Sequence, residues 1–154
     1  MKVTFINPPH YKSKYKFIGV IAPPLGLGYM AAMLEQNDIP VDILDASALD
    51  LEYSEIKDEI IKRKPDLVAL TALTPTIGTA LKSAEVVRKA LPNTTIAIGG
   101  YHPTFNFNEI IEDPNIDIVI RGEGEQTIVE LAQAMENGDD LSNIPLKSED
   151  STPA

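Results

Sequence analysis

Apolar residues along this chain follow two patterns that alternate from one end to the other. Short unbroken runs have the character of strands buried on both faces, and the stretches between them repeat every three or four positions, as helices with one apolar side do. Runs at 2–6, 41–44, 67–70, 95–98 and 116–120 are read as strands. Leu27, Met30, Ala31 and Leu34 give a helix over 24–36 one apolar side. Ile56, Ile60 and Ile61 do the same for a second helix, which Ser54 caps and whose Lys57, Glu59 and Lys62 stay in solvent. Thr74-Pro75 starts a third helix, since the hydroxyl caps and a proline loses nothing in the first turn. Ile77, Leu81, Ala84, Val87 and Leu91 carry its core side. A short helix at 106–112 follows, and the last helix opens at Thr127, with Glu130 in capping-box spacing, and stops at Asn137-Gly138.

Five apolar strands alternating with helices predict an α/β three-layer open sandwich. Its five-stranded parallel sheet has the Rossmann-like or flavodoxin-like order 2-1-3-4-5 and is covered on both faces. Ligands of such sheets sit beyond the carboxyl ends of the strands. The informative loops are therefore 7–23, 45–50, 71–76, 99–104 and 121–125. Residues 1–138 form the predicted domain; residues 139–154, polar with two prolines and no lasting period, read as a linker or disordered tail. The chain reads as a portion of something longer.

Composition narrows the chemistry. A length of 154 residues with 44 % apolar content suits one domain with a substantial core. The absence of cysteine excludes disulfides, a thiol nucleophile and any thiolate-held zinc or iron–sulfur site in this chain. With 23 acidic against 13 basic residues the net charge is −10, which opposes binding to a nucleic-acid backbone. Lys12, Lys14 and Lys16 are a small basic patch, either a solvated loop or a contact for an anion. No apolar run is long enough to span a bilayer and no leader is visible, so cytoplasmic residence is expected.

The run Ile96 to Pro103 ends a strand on Gly99-Gly100, which fits either a crowded turn or the approach of a ligand to the backbone. The long first loop carries His10, Tyr11, Tyr15 and Phe17, as a cover for a planar ligand or a packing surface for a neighbouring domain. Gly26-Leu27-Gly28 matches a dinucleotide fingerprint in letters but lies too far from the first strand; these glycines suit close approach of the helix to the sheet or a ligand. Thr71-Ala72-Leu73 offers a hydroxyl and an apolar side chain. At Arg121-Gly122-Glu123-Gly124-Glu125 the glycines and helix start favour an anion. The glutamates oppose one, so neutral amides or hydroxyls suit the loop better; Arg121 is expected to pair with a glutamate or the tail. Asp45 stands where many nucleotide-binding sheets hold a ribose. No spacing of His, Asp or Glu makes a metal cluster, and neither His10 nor His102 joins a nucleophile. No catalytic or metal-ligating residue is assigned, and binding is the stronger reading.

In order, Asn7-Pro8-Pro9, Pro23-Pro24-Leu25-Gly26-Leu27-Gly28-Tyr29, Thr71-Ala72-Leu73, Gly99-Gly100-Tyr101-His102-Pro103-Thr104 and Arg121-Gly122-Glu123-Gly124-Glu125 resemble a known family. It is the N-terminal cobalamin-binding domain of B12-dependent radical S-adenosylmethionine (SAM) enzymes, among them methyltransferases and the anaerobic magnesium-protoporphyrin monomethyl ester cyclase. The resemblance implies cobalamin as cofactor, its nucleotide tail held at the strand ends. It implies binding residues Asn7, Pro8, Pro9, Leu25, Gly26, Thr71, Leu73, Thr74, Gly99, Gly100, Tyr101, His102, Gly122, Glu123, Gly124 and Thr127. Cobalamin-dependent mutases carry Asp-x-His-x-x-Gly after the first strand. Here Asn7, Pro9 and Lys12 occupy those positions and His10 falls one residue late, so no imidazole from this loop is expected on cobalt. The resemblance also implies a covalently linked radical SAM domain, with SAM and a 4Fe-4S cluster, that lies outside this chain. Without it the chain would be inactive, and Tyr15, Phe17, Phe105 or Phe107 would mark where it packs. The competing classes are a nucleotide- or flavin-binding regulatory domain and a non-catalytic protein-interaction domain.

Overall fold

Strand β1 (Val3–Asn7) is buried at all five positions, as a strand must be at the centre of a sheet covered on both sides. The computed structural model, which describes residues 1–10 and 23–141, pairs it in parallel with β2 (Val41–Asp45) and β3 (Leu67–Thr71). Strands β4 (Thr95–Gly99) and β5 (Ile118–Val119) extend the sheet to the order 2-1-3-4-5. This is the predicted α/β sandwich.

Period-two alternation divides the core. Val3, Phe5, Leu67, Ala69 and Ala97 face α1 (Leu25–Gln36) and α6 (Glu125–Asn137). Ile6, Val68, Leu70, Ile96 and Ile98 face α2 (Tyr53–Arg63) and α3 (Ile77–Ala90). Each fully buried Leu, Ile or Phe contributes roughly 1.5–3 kcal/mol by leaving water.

The helix starts depart from expectation. Glu52, not Ser54, precedes α2, and its backbone N–H donates to the Glu55 carboxylate at 2.8 Å. Thr74–Thr76 forms a 3-10 turn in which the Thr76 hydroxyl accepts from the Leu73 N–H at 3.0 Å, so the first threonine does not cap. Helix α6 opens at Glu125, which leaves Thr127 inside its first turn rather than at its cap. Residues 101–105, expected in a loop, form α4 (Tyr101–Phe105), and the predicted helix at 106–112 shortens to α5 (Phe107–Ile110).

Strand β5 is brief because Asp117 is engaged elsewhere: its carboxylate takes the Ile96 N–H at 2.7 Å and Arg88 Nη2 at 2.6 Å. The chain still follows β4, through N–H bonds from Asp117 to Ile96 and from Ile120 to Ile98. Gly138 ends α6 as expected, with φ of 71°. Lys12, Lys14, Lys16, Tyr11, Tyr15, Phe17 and the tail from residue 142 lie outside the described residues.

Candidate functional site

Parallel register brings the sequence motifs together. Thr71 lies beside Gly99, and Asn7 beside Asp45, all at the C-terminal edge of the sheet. A cavity of about 610 Å³ opens there. Phe5, Leu27, Ala69, Ile120 and Ile128 supply apolar lining; Thr71, Thr76 and Thr104 supply hydroxyls.

Of the residues predicted for a site, the cavity is lined by Asn7, Gly26, Thr71, Leu73, Gly99, Gly100, Tyr101, Gly122, Glu123 and Gly124. Pro8, Pro9, Leu25, Thr74, His102 and Thr127 are not in its lining. Thr74 and His102 instead meet each other, Oγ1 to Nδ1 at 3.2 Å. His10 does line the cavity, as do Met30, Phe105 and Glu125, none of which was among the predicted binding residues. The apolar lining residues carry no signal of their own in sequence, because a side chain facing a cavity and one facing the core are of the same kind. Thr104 had a usable signal, its place four residues after Gly100 in the same motif.

The glycine pair has a packing reason at both positions. Gly100 has φ of 106°, and a Cβ there would stand 2.6 Å from the Ala72 carbonyl oxygen and 3.2 Å from the Thr71 hydroxyl. A Cβ on Gly99 would stand 3.3 Å from the Ile120 carbonyl oxygen. Crowding therefore accounts for the residue type, while the same two residues also line the cavity. Gly26 and Gly28 reverse the expectation of close helix approach, since a Cβ at either would meet nothing within 4 Å. Gly26 opens on the cavity; Gly28 is exposed elsewhere on α1.

Thr104 ties two strand ends together. Its hydroxyl donates to the Gly100 carbonyl at 2.8 Å and accepts the Gly122 N–H at 3.0 Å. That N–H is thus already bonded rather than held open for an anion. Asp45 is likewise engaged, accepting from the Asn7 amide at 2.8 Å and the Ala48 N–H at 3.0 Å, and it does not line the cavity. The Thr71 hydroxyl has no hydrogen-bond partner among the described residues, which leaves it free for a ligand.

Among the described residues Arg121 forms no ion pair, so the expected pairing with Glu123 or Glu125 is not made, and the tail from residue 142 lies outside the described residues. Strand alternation turns it away from the cavity that Ile120 lines, and its guanidinium lies 3.9 Å from the centre of the Phe107 ring. Its buried Nε has no hydrogen-bond partner. Stacking of this kind contributes about 0.5–1 kcal/mol at exposed sites and more when desolvated.

Two further observations bound the site. Among the described residues there is no group of three or more His, Asp or Glu able to hold a metal ion, and no helix long and apolar enough to cross a membrane. A broader groove of about 850 Å³ lies at the opposite edge, beside Met1, Asp66, Thr94 and Glu136. It contains none of the predicted site residues, so volume alone does not locate the chemistry.

Comparison with known proteins bears on the family and the fold. A family model described as "B12 binding domain" matches residues 17–132. An uncharacterised methyltransferase of Pyrococcus horikoshii is 38 % identical over 146 residues, covering 94 % of this chain and 31 % of that protein. The anaerobic magnesium-protoporphyrin IX monomethyl ester cyclase of Rubrivivax gelatinosus is 32 % identical over 140 residues, covering 90 % of this chain and 25 % of that protein. The chain thus spans less than a third of the length of these relatives. Among solved structures, the radical SAM methyltransferase TsrM of Kitasatospora setae, with cobalamin and a [4Fe-4S] cluster bound, superposes with a TM-score of 0.78 at 22 % identity, covering 94 % of this chain and 28 % of that one.

Proposed function

The chain belongs to the B12-binding domain family, and from that premise we propose that it binds cobalamin at the C-terminal edge of its sheet as the accessory module of a longer radical SAM enzyme. The observation that carries the reading is convergence: Thr71, Leu73, Gly99, Gly100 and the 122–124 loop line one cavity although they come from three separate strand ends.

The fit is one of size and polarity. A volume of about 610 Å³ suits the nucleotide tail rather than a whole corrinoid. The Thr71 hydroxyl and the backbone around Gly99 and Gly100 are the groups that would hold that tail. Leu25, Tyr29, Tyr101 and Phe105 stand between 66 % and 76 % exposed, an apolar surface suited to the wider macrocycle.

When bound, the corrinoid supplies cobalt for methyl or radical chemistry; this chain holds and orients it. Cobalt enters with the corrin, not through protein ligands. Residues 1–138 are the binding domain, and residues 139–154 lead toward a covalently linked domain that carries SAM and a 4Fe-4S cluster. The whole enzyme acts in the cytoplasm as a methyltransferase or oxidative cyclase.

Reconstitution with hydroxocobalamin tests the reading, with retained corrinoid measured by absorbance after gel filtration. The unaltered chain should keep it. Gly26→Leu adds bulk to the lining at a position where a Cβ meets no described atom within 4 Å, and it exchanges a poor helix former for a good one, worth up to about 0.8 kcal/mol of stability. It should weaken corrinoid binding at least about tenfold, which is about 1.4 kcal/mol. Retention of a nucleotide or flavin with no retention of corrinoid would sink the proposal.

A further inference from the structure

Among the described residues the cavity carries negative charge that no lysine or arginine of its lining neutralises. Glu123 and Glu125 both line it, and among the described residues neither side chain has a hydrogen-bond or ion-pair partner. The His10 imidazole is the one basic side chain among the described residues of the lining. The nearest cation in sequence, Arg121, is turned to the other face and stacked on Phe107. The Gly122 N–H, which would otherwise favour an anion, is bonded to Thr104.

A carboxylate in such a lining accepts a hydrogen bond from a neutral donor beside it and disfavours an anion at that same position. A primary amide offers its N–H to it, whereas a second carboxylate placed there meets like charge. A corrinoid carries its peripheral side chains as primary amides when complete, and as carboxylates when an amide is missing or hydrolysed. The two forms have nearly the same shape and differ in the charge and donor capacity that this lining reads.

We propose that Glu123 and Glu125 meet a peripheral side chain reaching the cavity from the corrin outside it, and that they select a fully amidated corrinoid over one that bears a free carboxylate on that side chain. The inference rests on the corrinoid reading above. It extends that reading from the cofactor class to the chemical state of its side chains, and it gives the two glutamates a specificity role.

The test is a spectral titration of the chain with hydroxocobalamin and, in parallel, with its separated propionate-side-chain monocarboxylic acids. At least one acid should bind about tenfold or more weakly than hydroxocobalamin. Glu123→Gln combined with Glu125→Gln keeps an acceptor oxygen at both positions and removes the charge. In that variant hydroxocobalamin should bind more weakly, because its amides lose charged acceptors, while the acids lose a repulsion, so the discrimination should shrink to about threefold or less. Equal binding of hydroxocobalamin and every acid by the unaltered chain overturns the inference and leaves the corrinoid reading intact. Discrimination that persists undiminished in the double variant also overturns it, because shape rather than charge would then be the cause. Failure of every corrinoid to bind overturns the corrinoid reading and the inference with it.

Discussion

The two edges of the sheet treat charge in opposite ways. At the N-terminal edge nearly every cation has a partner. Lys2 Nζ lies 2.9 Å and Arg63 Nη1 3.1 Å from the Asp42 carboxylate, which also accepts the buried Thr4 hydroxyl at 2.7 Å. Arg88 bonds to the carbonyls of Pro92, Thr94 and Asn115 and to Asp117, joining α3 to the entrances of β4 and β5. The N-terminal ammonium pairs with Glu136 at 3.5 Å. At the C-terminal edge, Glu123, Glu125 and the Arg121 guanidinium have no ionic partner among the described residues. Folding alone explains the first edge, where polar groups satisfy one another. The second holds apolar surface and polar groups in readiness for something else.

One residue at the C-terminal edge goes against this division, and changing it should have the largest effect. Gly100→Ala places a Cβ 2.6 Å from a backbone oxygen at φ of 106°, so stability should fall by about 3 kcal/mol in urea unfolding. Unchanged stability would mean that the glycine serves a ligand alone. Next, Arg88→Met removes a charged donor from four acceptors and should cost about 2 kcal/mol while leaving hydroxocobalamin affinity as it was. If affinity falls in step with stability, the edges are coupled and the comparison fails.

The third effect is a pH dependence confined to the N-terminal edge. Burial alone would raise the pKa of Asp42, but the Thr4 hydroxyl, the Lys2 ammonium and the Arg63 guanidinium outweigh it and hold the carboxyl below its usual range. A depressed folded-state pKa stabilises the fold above the unfolded value of about 4 and loses that contribution as acid takes the pH below it. Asp42→Asn should therefore be less stable than the parent at pH 7, by under about 1 kcal/mol given its partial exposure. The gap should close below about pH 4 in acid-unfolding curves; a constant gap would assign the effect to packing. Smallest of all, Phe105→Ser should move stability by less than about 0.5 kcal/mol, as it is 76 % exposed, yet weaken corrinoid retention.

Much of this organisation was legible in sequence, and the reasons are specific. Val3 to Asn7, Leu67 to Leu70 and Thr95 to Ile98 lie in runs whose burial on both faces leaves few alternatives to a parallel sheet. Helix starts were harder, because the side chain that bonds the opening backbone can stand three residues further on: the Glu55 carboxylate accepts the Glu52 N–H, and the Thr76 hydroxyl accepts the Leu73 N–H. The polar motifs of the cavity could be read because they stand at strand ends. Phe5, Ala69 and Ile128 could not, since nothing in a buried apolar residue says whether its neighbour is protein or open space. The glycine pair was ambiguous for a physical reason: the same backbone meets Ala72 and Ile120 on one side and the cavity on the other.

The Thr104 hydroxyl, bonded at once to Gly100 and Gly122, has a consequence for how a guest would enter. These bonds are made within the protein, so they tie the two strand ends directly to one another. Much of the entropy of ordering them is spent in folding and need not be lost again at association. Capture should then ask for little rearrangement of these two strand ends.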